Sequence, residues 1–183
     1  MSPHYEIKNR FTGEVIYQGT ADSAAGLLER AVQLSIDLSE ADLAGLSLSR
    51  IKIPHARLAL ADLSGTNLSG ADLTQAWLPG AKMTSADLYG VSARQANLSG
   101  ADLSDANLCK ADLAWARLQM ANLSEANLTQ ANLYGAHLTG ANLFESIMEG
   151  ANLVGARFDE ASLVGAHIAD ANTEWVTGMK LDD

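Results

Sequence analysis

The chain predicts an all-β solenoid: a backbone that turns a corner every five residues and stacks its turns on one another. Three observations lead there. Stepping by five from Leu38 to Ile168 gives 27 centres, and all but Ala93 are Leu, Ile, Met or Phe. Two residues before the centres runs a second column, Ile36 to Ala171, in which 22 of 28 residues are alanine. Its exceptions are Ile36, Leu46, Ile51, Thr66, Val91 and Ser146. All eleven glycines between residues 36 and 172 fall two positions after a centre.

A period of five excludes the two common regular structures. Five steps of a 3.6-residue helix carry each leucine well away from the last, so no apolar stripe forms. In one long strand successive leucines would face opposite sides, because five is odd. Within one repeat the alanine and the leucine are two apart, so a short extended side points both inward. The glycine column marks the corner, where a positive φ is relieved. The stretch "LPGA" at 78–81 places Pro79 and Gly80 where a type II turn wants them.

Residues 1–35 do not repeat. "HYEIK" and "EVIYQ" flank "NRFTG" and predict a β-hairpin closed near Thr12 and Gly13. Asp22 or Ser23 is placed to cap a helix over "SAAGLLERAVQLS", with Leu27, Leu28, Ala31 and Leu34 on one face. This N-terminal hairpin and helix are expected to cap the first coil, whose open end would otherwise expose backbone and core. The repeat occupies 36–172. Over 173–183, "TEWVTGMKLDD" breaks the pattern and is expected to cover the last coil with Trp175, Val176 and Met179.

Composition narrows the function. Of 183 residues, 48% are hydrophobic and 19% charged, which is not the balance of a disordered chain. The net charge of −10 is opposite to that of a typical nucleic-acid binder. One cysteine, Cys109, allows no intrachain disulfide. No apolar run follows a basic start, and no stretch reaches the length of a membrane span. The expectation is a soluble cytoplasmic protein that binds neither nucleic acid nor membrane.

The motif A-(D/N)-L-x-x, as in "ADLSG", "ANLSE", "ANLTQ" and "ANLYG", resembles that of the pentapeptide-repeat proteins. The resemblance covers roughly three-quarters of the chain. It implies a right-handed quadrilateral β-helix with four pentapeptides per coil, hence about seven coils and a rod roughly 30–35 Å long at about 4.8 Å per coil. In that register residues twenty apart stack. Asparagines then form ladders: Asn107 with Asn127, Asn122 with Asn142, and Asn132 with Asn152 and Asn172. Aspartates in the same motif position mostly avoid each other, with Asp42 and Asp62 the one direct pair.

No catalytic constellation stands out. The chain has no nucleophile elbow, phosphate loop or metal-ligand spacing. His4, His55, His137 and His167 do not pair usefully with Cys109, which by phase is an exposed thiol. The expectation is a non-enzyme with no catalytic residue, cofactor or metal.

The outward columns are the candidate sites. One carries Arg57, Trp77, Arg117, His137 and Arg157, a basic and aromatic column that reads either as a solvated stripe or as a contact surface. Asp105, Glu125 and Glu145 stack in another, with Asp102 beside them, as an acidic strip. Trp115, Tyr134, Val154 and Trp175 fall on one side, outward by phase, as a candidate interaction patch. The function expected is a rigid scaffold or protein-interaction module with a protein partner, and self-association, if any, as a homodimer through this patch. The alternative is a DNA-mimicking protein that binds a topoisomerase, DNA gyrase, and protects it from quinolones or other topoisomerase poisons, as the resemblance implies for some relatives. Against it stand 14 acidic and 8 basic residues spread over all walls between Leu38 and Asn172, no inserted loop and a short C-terminal segment.

Overall fold

The computed structural model describes residues 2–180, so the end of the expected C-terminal cap, 181–183, lies outside the described residues. Parallel bridges join residues twenty apart without a break, from Asp42–Asp62 to Arg157–Thr177. Twenty residues close one coil, and five residues make one side, so the solenoid is four-sided. Each side is too short for a regular strand and contributes one bridged residue, the one before the centre.

The backbone accounting shows why five residues suffice. In Asn107–Ala111, Asn107 N donates to Ala86 O (2.9 Å), and Leu108 N donates to Asn127 O (2.7 Å). Lys110 N donates to Thr129 O (2.9 Å), and Ala111 N closes the corner onto Leu108 O (3.0 Å). The remaining N–H, Cys109, donates to Asn107 Oδ1 (3.3 Å). Every N–H of the repeat is thus satisfied. The last bond explains the Asp or Asn of the motif: its side chain forms an Asx turn that caps the corner. The two corner prolines follow the same logic. Pro54 and Pro79 come two residues after Lys52 and Trp77, where no Asx oxygen waits for an N–H.

The corner residue is left-handed whether or not it is glycine. Gly80 has φ +64°, as expected, and Gln95, Trp115 and Glu125 have φ between 56° and 61°. The side chain of such a residue leans toward the coil twenty residues later. Arg50, Leu60, Trp115, Met120, Gln130 and Glu145 each lie over the glycine in that place. Gly65, Gly90, Gly100 and Gly155, which follow another glycine by twenty, have open space where a Cβ would stand.

Centres and alanines fill the axis. Every centre from Leu38 to Phe158 is buried, including Leu98 to Leu143. At Ala93 the sizes are exchanged: Val91 takes the alanine column, and both are buried. Two polar residues enter the alanine column. Thr66 donates its hydroxyl to Leu63 O (2.6 Å), while buried Ser146 Oγ has no partner among the described residues.

At the N-terminus, β1 (His4–Lys8) and β2 (Val15–Thr20) pair antiparallel, and α1 (Ala24–Gln33) follows. Asn9 Oδ1 accepts from the N–H groups of Phe11 and Thr12, and Gly13 takes φ +72°, closing the hairpin. Ser23 is the N-cap and accepts from Gly26 N. Leu27, Leu28 and Ala31 are buried as expected, but Leu34 is exposed. It is the C-cap residue, where the chain leaves the helix through a left-handed Ser35. The first coil has no preceding coil, yet Asp42 N donates to Lys8 O (2.8 Å) and Lys52 N to Glu29 Oε1 (2.9 Å).

Candidate functional site

Three outward groups of residues are expected from the sequence, and the structure treats them differently. The corner holding Trp115 and Tyr134 is assembled. Trp115 N donates to Tyr134 O (2.8 Å), which fixes the two backbones. The indole lies over Gly135, where a Cβ would stand 2.6 Å from Trp115 Cε3. There it meets the Tyr134 ring edge-to-face, with centroids 5.3 Å apart and planes at 80°. Trp115 is 49% exposed and Tyr134 40%. These rings are held in place and still face solvent.

Two members of that patch do not join them. Val154 is only 8% exposed, against the expectation from its phase. A short side chain between Tyr134 and Glu174 in one column is covered by its longer neighbours, as Ala114 is on the other side of Tyr134. Trp175 shares the column of Trp115 but stands three coils on, about 14 Å along the axis. It is 78% exposed, so it does not cover the last coil; Val176 and Met179 do pack there.

The acidic strip is divided. Asp105, Glu125 and Glu145 take left-handed corner positions in one column. Asp102 instead belongs to the wall. Its Oδ1 accepts from Ser104 N (3.2 Å), Ser104 Oγ (2.8 Å) and Asn122 Nδ2 (3.0 Å). The last of these is part of a ladder, which Asn142 extends to Asn122 (3.0 Å). Asn152 to Asn132 (3.0 Å) forms another expected rung, whereas Asn172 makes no side-chain bond to Asn152 among the described residues, and Asn107 bonds Asp87 (2.9 Å) instead of pairing with Asn127. Mixed Asp–Asn ladders follow from the chemistry, since a carboxylate accepts what an amide donates.

Bridges confirm the basic and aromatic column as one stack, Arg57–Trp77, Trp77–Asn97, Asn97–Arg117, Arg117–His137 and His137–Arg157. Arg57 is paired with Asp37 at 2.7 Å. Ser39 hydrogen bonds, with Arg57 adding to them, outweigh burial and hold the Asp37 carboxyl below its ordinary value. Arg117 and Arg157 have no carboxylate within 4.0 Å among the described residues. Trp77 is 49% exposed and closes one end of a groove of about 330 Å³ whose other end is Trp115. This groove joins two columns across a corner. It was not visible in the sequence as a unit, although the residues it needs, Gln75 to Arg117, are spaced by twenty. Cys109 is half-buried rather than exposed.

The family model for pentapeptide repeats matches in eight copies, over 36–84, 56–92, 86–119, 121–159 and 148–172. HetL, a pentapeptide repeat protein involved in heterocyst differentiation regulation in the cyanobacterium Nostoc, is 26% identical over 82% of this chain and 93% of its own, with a TM-score of 0.40. A second pentapeptide repeat protein of Nostoc is 35% identical over 58% of this chain and 84% of its own, with a TM-score of 0.44. QnrB1, a plasmid-mediated fluoroquinolone resistance protein, is 19% identical over 78% of this chain and 77% of its own, with a TM-score of 0.42. No curated protein sequence matches the chain.

Proposed function

The chain belongs to the pentapeptide-repeat family, and from that premise we propose that it is a cytoplasmic protein-interaction module rather than an enzyme. It is a right-handed rod of about seven coils closed at its N-terminal end by the hairpin and helix. The bonds that Lys8 O and Glu29 Oε1 accept from N–H groups of the first coil support the capping role. One observation carries the functional reading: Trp115 and Tyr134 are seated against each other and against Gly135 while remaining near half exposed. Large aromatics presented without rotamer freedom lose little entropy on binding and tend to dominate contact energies. A wall built only for solubility has Ser, Thr or Gly available, as at many equivalent positions.

The test is capture of partners from the source cells by wild type and by Trp115→Ser/Tyr134→Ser, with sedimentation of both. The proposal expects a partner, or a homodimer, retained by wild type and lost from the double variant. Retention by both would remove the patch as the contact surface. A gyrase supercoiling assay with a quinolone separates the alternative. No protection is expected, because the acidic column is short, Asp102 is committed to a ladder, and Arg117, His137 and Arg157 line another wall.

A further inference from the structure

Trp77 is out of place for its local bonds. Where Asp or Asn precedes a centre, its oxygen caps the turn, and in five cases it also accepts the amide of an asparagine twenty residues later, as Asp102 does for Asn122. Trp77 does neither. Pro79 removes the N–H that the missing cap would have satisfied. Asn97 Oδ1 accepts from Ser99 N (3.0 Å), and its Nδ2, with an indole in place of an acceptor, has no partner among the described residues and is left to solvent.

The groove between Trp77 and Trp115 collects such donors. Gln75 Nε2 donates to Gln95 Oε1 (2.6 Å), which occupies that oxygen and leaves the Gln95 amide nitrogen free. Arg117 carries an unpaired charge, and the two indoles each add an N–H. The groove thus offers flat aromatic faces and an excess of donors, with positive charge at one end and in the column beyond it. A sugar or a nucleobase brings donors as well as acceptors. A proline-rich segment brings apolar rings and carbonyls but few N–H groups. One turn of polyproline II advances about 9.3 Å, close to the two-coil separation of about 9.6 Å between the backbones of Trp77 and Arg117 in their shared column.

We propose that this groove docks an acidic, proline-rich segment of a partner protein, extended along the rod axis, with prolines on Trp77 and Trp115 and a carboxylate on Arg117. The proposal rests on the reading of the chain as an interaction module and names the class of partner. It places the contact on the Trp115 corner and on the adjoining wall, where the basic column matches an acidic ligand in a protein that is otherwise acidic.

The probe is a fluorescein-labelled peptide of repeated Pro-Pro-Asp triplets, followed by anisotropy with the full chain. Controls are Pro-Pro-Lys and Gly-Ser-Asp peptides and a labelled single-stranded oligonucleotide. The expected result is saturable binding of Pro-Pro-Asp, with both control peptides bound about tenfold or more weakly. Trp77→Ala should weaken binding by about tenfold or more. Arg117→Gln, a surface change that leaves the fold intact, should reduce the preference for Pro-Pro-Asp over Pro-Pro-Lys. Circular dichroism checks that each variant is folded. Absence of Pro-Pro-Asp binding overturns the proposal, as does binding unchanged by both variants, or an oligonucleotide bound more tightly than the peptide. None of these outcomes touches partner capture through Trp115 and Tyr134, so the two readings fail separately.

Discussion

Replacing Gly135 with alanine tests how the aromatic corner is built. Gly100 supplies the control, since both glycines are left-handed, with φ +63° and +65°, and nothing lies within 4 Å of a Cβ at Gly100. Gly100→Ala therefore isolates the backbone term, about 1 kcal/mol for an L-residue in that region. Gly135→Ala carries the same term and also places a methyl 2.6 Å from the Trp115 ring. The indole must lift away and give up its edge contact with Tyr134, about 0.5–1.5 kcal/mol more. The expected losses are about 1 kcal/mol and about 1.5–2.5 kcal/mol. Urea unfolding followed by circular dichroism measures both, provided the slope with denaturant is unchanged. In a Trp115→Ser background the two substitutions should cost the same. Equal losses in the wild-type background, or a gap that survives Trp115→Ser, would show that the indole is not seated on Gly135.

Other perturbations reach the axis, the cap and the wall. Leu118→Asp places an unpaired carboxylate in a fully buried centre and should leave no cooperative thermal transition, as a loss of several kcal/mol requires. Ser146→Ala removes a buried hydroxyl with no partner among the described residues and should raise stability by about 1 kcal/mol in the same urea assay. Removing residues 1–35 takes away the partners of Asp42 N and Lys52 N together with Leu27 and Leu28. Light scattering should then show aggregation, whereas an unaggregated product with unchanged melting would refute the cap. Burial pushes Asp62 up, but bonds from Ser64 and the Lys82 ammonium at 3.5 Å outweigh it and hold the carboxyl below its ordinary value. A depressed folded-state value stabilises above the unfolded value, and that stability is lost as pH falls through the folded one. Melting should thus fall more steeply below about pH 4 in wild type than in Asp62→Asn, which keeps the turn-capping oxygen.

The walls were legible because the constraint on them repeats. A centre that must be buried can only be apolar, and a corner two residues later favours glycine, so Leu103 and Gly100 announce their places. The Asp or Asn before each centre was recognisable as a class, but its bonds needed coordinates: the same oxygen of Asp102 serves a turn and a ladder. Phase alone misplaced Val154, because outward direction is set by the repeat while exposure is set by the neighbours' lengths. Leu34 failed for a different reason, since the helix stops one residue short of it. The lean of corner side chains toward the next coil is what seats Trp115 on Gly135, and the pairing of a large residue with a glycine twenty later was present in the sequence. The Trp77 groove is not legible in the sequence because its two sides belong to different columns, adjacent only across a corner.

The claim that the Trp115–Tyr134 corner is the protein's contact surface is tested most directly by site-specific cross-linking in the source cells. A photo-reactive amino acid at position 134 should trap a discrete partner or a second copy of the chain. The same group at Ser69, on another wall, should not. Adding Trp115→Ser should abolish the product at position 134. No cross-link at position 134, or the same product from both positions, would contradict the account.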